Sequence, residues 1–442
     1  MSRAPSTSLS PRAFYLQTLG CPKNAVDSDK IVAALRADGL VPAADPGTAD
    51  LVVVNTCAFV EAAREESIET TLALADARKN GARLVVTGCM AERYGAELAA
   101  ALPEADAVVG FAGAGTIAET LLPEPRRVPK GVRDLLELPR AAPAVPWAYL
   151  KVAEGCDRAC AFCAIPSFRG KQRSRSPQSI LAEACALVDG GVRELVLVAQ
   201  DLAWYGRDIG EPGALAPLLC RLDELASAGL RRVRLLYLYP SEVHDPLVGT
   251  MLDLETVVPY FDLSLQHAAA PLLRRMRRWG SGERFLGMID GIRSREPDAV
   301  FRSSFIVGFP GETEAHHAQL LEFLDAAQLD WAGFFPFSRE DGTTAADLDG
   351  TVAPDLMTER LRECDAAQEP VTVAARAALI GRDVDVLVDG VDDETGGAVG
   401  RTFREAPEID GVVHLPGVPA SPGEFVGARV TDAVGPDLVV EP

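Results

Sequence analysis

The sequence predicts an α/β protein in three parts: a small parallel α/β domain, a partial, open (βα)6 barrel, and a small β-domain. Three observations carry this. Short apolar runs of strand length alternate with helical patterns through most of the chain. In the middle region such runs recur six times at intervals of roughly 30–45 residues, fewer than the eight of a closed barrel. Towards the end, helical patterns give way to short alternating strands among many Gly and Pro.

The first domain is expected over residues 13–127. Its strands are read at 14–19, 51–54 and 84–86, with helices at 27–38 and 62–80 between them. A Pro-rich linker follows at 128–146. The barrel is expected over 147–370, with strands at 148–153, 194–200, 232–239, 261–265, 301–308 and 332–337. Helices fall between them at 179–188, 215–228 and 314–327. The site of such a barrel lies at the C-terminal ends of its strands. Residues 371–442, with strands at 384–388, 411–415 and 424–431, form a small β-barrel or sandwich.

Composition excludes several classes. The chain has 442 residues, 48% of them hydrophobic, and a formal charge of −21. That apolar content is too high for a disordered chain. No apolar run approaches the ~18 residues of a membrane span, and the Ser/Pro-rich N-terminus lacks the apolar core of a secretory signal. A cytoplasmic protein without membrane contact is expected. The charge argues against general binding to DNA or RNA, which calls for clustered Lys and Arg. Nine Cys in such a chain point to metal or redox chemistry before disulfides.

Cys156, Cys160 and Cys163 lie within eight residues, directly after an expected strand. A tight loop can wrap such a set round one 4Fe–4S cluster, whose irons need soft thiolate ligands. Three ligands for four irons leave one iron open to a substrate or cofactor. A zinc knuckle is the alternative, but it needs a fourth ligand, and the next His is His244. A second trio, Cys21, Cys57 and Cys89, is spread 36 and 32 positions apart, each member just after an expected strand. In a parallel sheet those positions share one edge. The alternative is that small apolar Cys fill the sheet margin. Cys185, Cys220 and Cys364 fall in helical patterns and are expected to be buried or half-buried.

The CxxxCxxC pattern with Phe162 before its last Cys, opening a partial barrel, resembles the radical S-adenosylmethionine (SAM) superfamily. The preceding three-Cys domain and terminal β-domain make the chain similar to the methylthiotransferases, which end in a TRAM domain. The stretches Leu19-Gly-Cys21-Pro22-Lys23-Asn24, Leu265-Gln266-His267-Ala268 and Ala406-Pro-Glu-Ile-Asp-Gly411 resemble the branch that modifies ribosomal protein S-twelve (the RimO type). The tRNA-modifying branch (the MiaB type) usually shows a GCQMN-like stretch at the first Cys. It also favours Gln-Ser-Gly where this chain has Gln266-His267-Ala268.

This resemblance implies two 4Fe–4S clusters, one on Cys156, Cys160 and Cys163 that cleaves SAM and one on Cys21, Cys57 and Cys89 that delivers sulfur. It also implies SAM as radical source and methyl donor, a sulfur source, and an external one-electron reductant of flavodoxin or ferredoxin type. A 5′-deoxyadenosyl radical would remove hydrogen from the β-carbon of an aspartate. Cluster and SAM carry the hard chemistry, and the protein positions them. SAM contacts are expected from Phe162, Gln200, Asp201, Gln266, Arg302 and Ile306, with Arg302 pairing the SAM carboxylate. A monomer is expected, acting on ribosomal protein S-twelve either free or on the small ribosomal subunit.

Two basic stretches are notable. Arg169, Lys171, Arg173 and Arg175 follow the cluster loop. Arg274, Arg275, Arg277 and Arg278 crowd a helical pattern and read as a solvated face. Counted by region, net charge is −4 over 1–127, −9 over 128–370 and −8 over 371–442, the last without any Lys. A TRAM domain gripping tRNA needs basic residues; this one suits a basic ribosomal protein. The alternative readings are a tRNA adenosine methylthiotransferase and a non-catalytic two-cluster electron carrier.

Overall fold

A computed structural model describes residues 12–121, 134–140, 143–392 and 396–442. Almost all of the N-terminal tail and part of the linker expected at 128–146 lie outside the described residues. The chain forms two compact units. The first combines the described residues up to 140 with Ser167–Arg169; the second holds the rest of the barrel region and the terminal β-domain.

The first unit is built on a parallel sheet, five-stranded among the described residues. Its strands stand in the spatial order Val41–Pro42, Ala13–Thr18, Leu51–Thr56, Arg83–Gly88, Ala107–Val109. The central strand Leu51–Thr56 is wholly buried, because helices cover both its faces. Leu51 and Val53 pack with Phe14, Ile31 and Leu35 on one side, and Val52 and Val54 pack with Leu74 and Leu84 on the other. Each such side chain contributes about 1.5–3 kcal/mol. The strands at Val41–Pro42 and Ala107–Val109 were not expected. They are short sheet margins of two and three residues, exposed or half-buried, too short to show a strand period. The first helix, Pro22–Ala37, starts five residues before the expected one, since Pro22 suits an opening turn.

The second unit contains a six-stranded parallel sheet whose spatial order follows the chain: Trp147–Lys151, Glu194–Val198, Arg232–Leu238, Val257–Gln266, Val300–Val307 and Trp331–Pro336. This is the expected barrel, open between its first and last strands. Buried Leu, Val and Phe side chains from strands and helices form one continuous core. Helix Glu314–Ala327 has the expected bounds, fixed at its start by a Thr313 capping box. One boundary differs. The helix Pro354–Ala377 runs straight through residue 370, with Pro370 inside it, so the terminal β-domain begins only at the strand Asp383–Val391.

That domain closes into a barrel of Asp383–Val391, Ala398–Arg401, Val413–Leu415, Asp437–Glu441 and Phe425–Val434. Between its second and third strands the chain passes beneath the larger barrel and bonds to all six of that barrel's strands near their starts. Tyr149 donates to Glu408 (2.9 Å), and Arg401 pairs with Glu194 (2.8 Å). Arg232 and Arg234 donate to the carbonyls of Arg401 and Phe403. Tyr260 donates to Asp410 (2.5 Å), Arg302 pairs with Asp410 (3.4 Å), and Trp331 donates to the Arg404 carbonyl (2.9 Å). Burial alone would raise the Glu194 carboxyl, but Arg234, Arg401 and Arg232 hold it down at about 2.

Candidate functional site

Cys156, Cys160 and Cys163 follow the first barrel strand and the short strand Ala153–Glu154. The entry turn requires glycine. Gly155 has φ +79°, and a Cβ there would stand 2.2 Å from the Lys171 carbonyl oxygen. The loop is pinned at several points. The Cys156 N–H donates to the Gly170 carbonyl (3.1 Å), the Ala161 N–H to the Met276 carbonyl (2.9 Å), and the Ala345 N–H to the Ala161 carbonyl (2.8 Å). Arg158, between the first two Cys, is clamped hardest. Its Nε donates to Asp201 Oδ2 (2.7 Å) and its Nη2 to Glu242 Oε1 (3.0 Å), while its guanidinium lies 4.0 and 3.9 Å from the Trp204 and Tyr239 rings. Arg278 stacks on the same Tyr239 ring at 3.9 Å and donates to Cys160 Sγ at 3.4 Å.

Burial pushes the Cys163 thiol up to about 12, with Cys160 and Cys156 adding to the effect. Burial likewise raises Cys156 to about 11, joined by the Asp201 charge. Cationic iron is what makes such thiols ionise.

The residues expected to meet SAM fall into two groups. Gln200 and Asp201 stand just beyond the second strand. Gln200 Nε2 donates to Glu154 Oε1 (2.6 Å), yet Gln200 Oε1 and Asp201 Oδ1 are buried without a hydrogen-bond partner. Burial raises the Asp201 carboxyl despite the Arg158 charge beside it. Gln266 closes the fourth strand at φ +73°, a left-handed conformation costing about 1–3 kcal/mol in a residue other than glycine. Phe162 is half-buried against the barrel core. On the fifth strand Arg302, Ser304 and Ile306 alternate as the half-buried face. Ile306 lies at the C-terminal end. Arg302 lies four residues, ~13 Å, towards the strand's start, where Asp262 (3.1 Å) and Asp410 (3.4 Å) already hold its guanidinium. Its place is therefore in an ion-pair network at the far end of the barrel, not on a SAM carboxylate.

In the first unit, Cys21, Cys57 and Cys89 come together as their spacing suggests. Their strands are immediate neighbours in the sheet, and each Cys follows its strand's C-terminal end. Gly20 at φ +88° brings the first turn so close that a Cβ would sit 2.8 Å from Cys57 Sγ. Gly88 at φ +90° is walled by Asn55 and the Thr56 backbone. Asn24 donates to the carbonyls of Leu19 and Thr56 (2.9 Å each), tying the first two Cys loops together. Ser67 bonds both the N–H and the carbonyl of Cys57 (3.0 and 3.1 Å).

Arg169, six residues after Cys163, belongs to this unit. Its Nε and Nη2 donate to Cys89 Sγ (3.3 and 3.0 Å), its Nη2 to Asn24 Oδ1 (2.6 Å) and its Nη1 to Asp27 Oδ2 (3.2 Å). For Cys21, burial is outweighed by the charges of Lys23 and Arg169 and by backbone N–H bonds, so its thiol is lowered. Burial raises Cys57 and takes Cys89 up to about 12 against the pull of Arg169.

Among the described residues no three His, Cys, Asp or Glu side chains group tightly enough to hold a single metal ion. A cubane is ligated at three different irons, so its thiolates stand wider apart than those round one ion. Sets of three thiols suit a cubane, which can leave one iron open, better than a structural zinc, which takes four protein ligands.

Of the remaining cysteines, Cys364 is buried as expected, but Cys185 and Cys220 are exposed on their helices. The second basic stretch also departs from a solvated face. Its helix ends at Arg275, Arg275 donates to the Pro310 carbonyl (2.8 Å), and Arg278 is buried at the cluster loop. Sequence reasoning missed Arg158, Glu242 and Asp27, and it read Arg278 as part of a solvated face. The one signal present was the position of Arg158 between two cysteines of the motif.

Three family descriptions match: an uncharacterised family, UPF0004, over residues 13–110; the radical SAM superfamily over 150–324; and the TRAM domain over 380–442. Among solved structures, the chain resembles the radical SAM methyltransferase TsrM from Kitasatospora setae. The TM-score is 0.53 at 15% identity, over 76% of this chain and 77% of that one, a likeness of fold. Among curated relatives it is similar to a "Ribosomal protein uS12 methylthiotransferase RimO" of Cutibacterium acnes, 43% identical over 97% of each chain. It is also similar to one of Moorella thermoacetica, 44% identical over 94% of this chain and 95% of the other. No described helix is long and apolar enough to cross a membrane. With that identity over nearly its whole length, the chain belongs to the uS12 methylthiotransferase RimO family of radical SAM enzymes.

Proposed function

We propose that this enzyme methylthiolates the β-carbon of an aspartate in ribosomal protein uS12, using SAM and two 4Fe–4S clusters. The observation that carries the reading is the pair of separate all-thiol trios, one on the barrel's cluster loop and one on the sheet edge of the first unit. Cys156, Cys160 and Cys163 would hold the SAM-cleaving cluster, and Cys21, Cys57 and Cys89 the second. When bound, these groups supply the radical that takes a hydrogen from the substrate carbon and the sulfur that replaces it.

The chain's own residues bind and orient. Gln200 Oε1 and Asp201 Oδ1, buried acceptors without a partner, fit the ammonium group of SAM. Gln266, Phe162 and Ile306 would complete the pocket at the strand ends, with Ile306 offering an apolar surface to the adenine. Arg158 and Arg278 place positive charge beside the thiolate loop and offset its negative charge.

Substrate choice follows from displayed charge. Residues 371–442 carry five Arg and thirteen acidic residues. Four of those Arg are engaged in ion pairs: Arg376 with Glu405, Arg382 and Arg404 with Asp298, and Arg401 with Glu194. The terminal domain thus presents an acidic face suited to a basic protein and unsuited to RNA phosphates. A flavodoxin- or ferredoxin-like protein would supply electrons.

Anaerobic reconstitution tests this. The protein with SAM, reductant and sulfide is offered either a peptide of the uS12 loop or unmodified tRNA. A methylthio mass gain on the peptide is expected. A gain on tRNA alone would transfer the enzyme to the nucleic-acid branch, and absence of 5′-deoxyadenosine would favour an electron carrier.

A further inference from the structure

We infer that Arg169 is a positioning residue for the cluster on Cys21, Cys57 and Cys89, holding Cys89 and raising the reduction potential of that cluster. The inference rests on the reading that this trio carries a cluster.

The Arg169 side chain is only 2% exposed. Removing a guanidinium from water costs several kcal/mol unless its N–H groups find good acceptors. Asp27 alone could take the whole fork in a bidentate pair. Instead Asp27 takes Nη1 (3.2 Å), and the side of the fork formed by Nε and Nη2 is directed at Cys89 Sγ (3.3 and 3.0 Å). The Nη2 group also bonds Asn24 Oδ1, and the ring of Phe111 lies 4.6 Å from the guanidinium carbon. Asn24 is the residue whose amide bridges the loops before Cys21 and Cys57. One guanidinium therefore fixes the third ligand and braces the residue that sets the spacing of the other two.

The electronic consequence follows from charge. A reduced cluster carries one more negative charge than the oxidised one. Two N–H···S bonds and a nearby cation stabilise that charge and shift the potential upwards. Lysine cannot replace this fork, because its ammonium is a point charge unable to span Cys89, Asn24 and Asp27 together.

The test uses the full chain with Cys156, Cys160 and Cys163 all changed to Ala, so that only Cys21, Cys57 and Cys89 carry iron. After anaerobic reconstitution with iron and sulfide, three things are measured: iron and sulfide content, the electron paramagnetic resonance spectrum of the reduced state, and the midpoint potential. These are compared for Arg169, Arg169→Lys and Arg169→Met. The midpoint is expected to fall from Arg to Lys to Met, with a changed spectrum in the Met variant. Asp27→Asn, which removes the opposing negative charge, is expected to raise it. If Arg169→Met fails to fold by circular dichroism, the Lys and Asp27→Asn variants decide the matter with opposite signs. Equal potentials across the folded variants would overturn the role of Arg169 and leave the cluster on Cys21, Cys57 and Cys89 standing. Failure of the parent to take up a cluster would overturn both.

Discussion

The two cysteine trios are held by different means. Cys156, Cys160 and Cys163 sit on one loop of eight residues, and what fixes that loop is a set of anchors: the Arg158 clamp, the Arg278 stack, and backbone bonds to Met276 and Ala345. Cys21, Cys57 and Cys89 come from three loops, and what fixes them is the parallel sheet beneath, with Asn24, Ser67 and Arg169 bracing the turns. The first arrangement can be disturbed one anchor at a time. The second shares the cooperativity of a sheet whose central strand is wholly buried, so damage there reaches the stability of the unit.

Substitutions can break this comparison at several levels. The largest effect is expected from the ligands themselves. Cys156→Ala should reduce 5′-deoxyadenosine formation to background, whereas Cys57→Ala should leave it and stop methylthio transfer. Chromatography of the nucleoside and mass spectrometry of the peptide separate the two, and identical behaviour in folded variants would count against two sites. Next come the glycines. Gly88→Ala places a Cβ 2.3 Å from Asn55 Oδ1 at φ +90°, and should cost on the order of 2–4 kcal/mol in thermal or denaturant unfolding. Gly155→Ala should mainly lower iron uptake by Cys156, Cys160 and Cys163 and move the unfolding midpoint less, because it deforms a loop. A reversed order would show that the loop, not the sheet, carries the stability.

A smaller effect is expected from Arg158→Met. It leaves Asp201 buried without its cation, and SAM affinity should drop roughly tenfold or more, for about 1.4 kcal/mol per decade. Equilibrium binding to the reconstituted protein measures this. The smallest is a difference in rate. The Cys21 thiol is lowered, while burial pushes Cys89 and Cys163 up to about 12, so that at pH 8 far less of the latter pair is thiolate. In iron-free protein, alkylation should therefore label Cys21 well before Cys89 and Cys163. Labelling of that pair should accelerate about tenfold for each pH unit, read by peptide mass spectrometry.

What could be read beforehand follows the same division. The loop of Cys156, Cys160 and Cys163 is local in sequence, so these three were legible as a motif. The placing of Cys21, Cys57 and Cys89 side by side was legible only through the rule that parallel strands share their C-terminal edge. Partners drawn from distant strands were not legible. Arg158, Asp201 and Glu242 meet only because the strands stand in chain order, and Arg302 was misplaced because nothing near it in sequence announces Asp410 beneath the barrel. A two-residue margin such as Val41–Pro42 is too short to show a period, and the barrel end expected at 370 falls inside the helix Pro354–Ala377. Cys185 and Cys220 were expected inside because cysteine usually is, and their helices instead turn them to solvent.

The passage of residues 401–410 beneath the six-stranded barrel bears on how such chains can be divided. By sequence the C-terminal domain looks like a detachable accessory, with its own closed barrel and its own core. Its connecting segment nevertheless supplies partners to Tyr149, Glu194, Arg232, Arg234, Tyr260, Arg302 and Trp331. Cutting the chain after the helix Pro354–Ala377 would strand several of these groups in the interior, at about 1–3 kcal/mol for each neutral group and more for the charged ones. The two folds are therefore modular in architecture but a single unit in thermodynamics, and a truncated barrel should emerge insoluble rather than merely inactive.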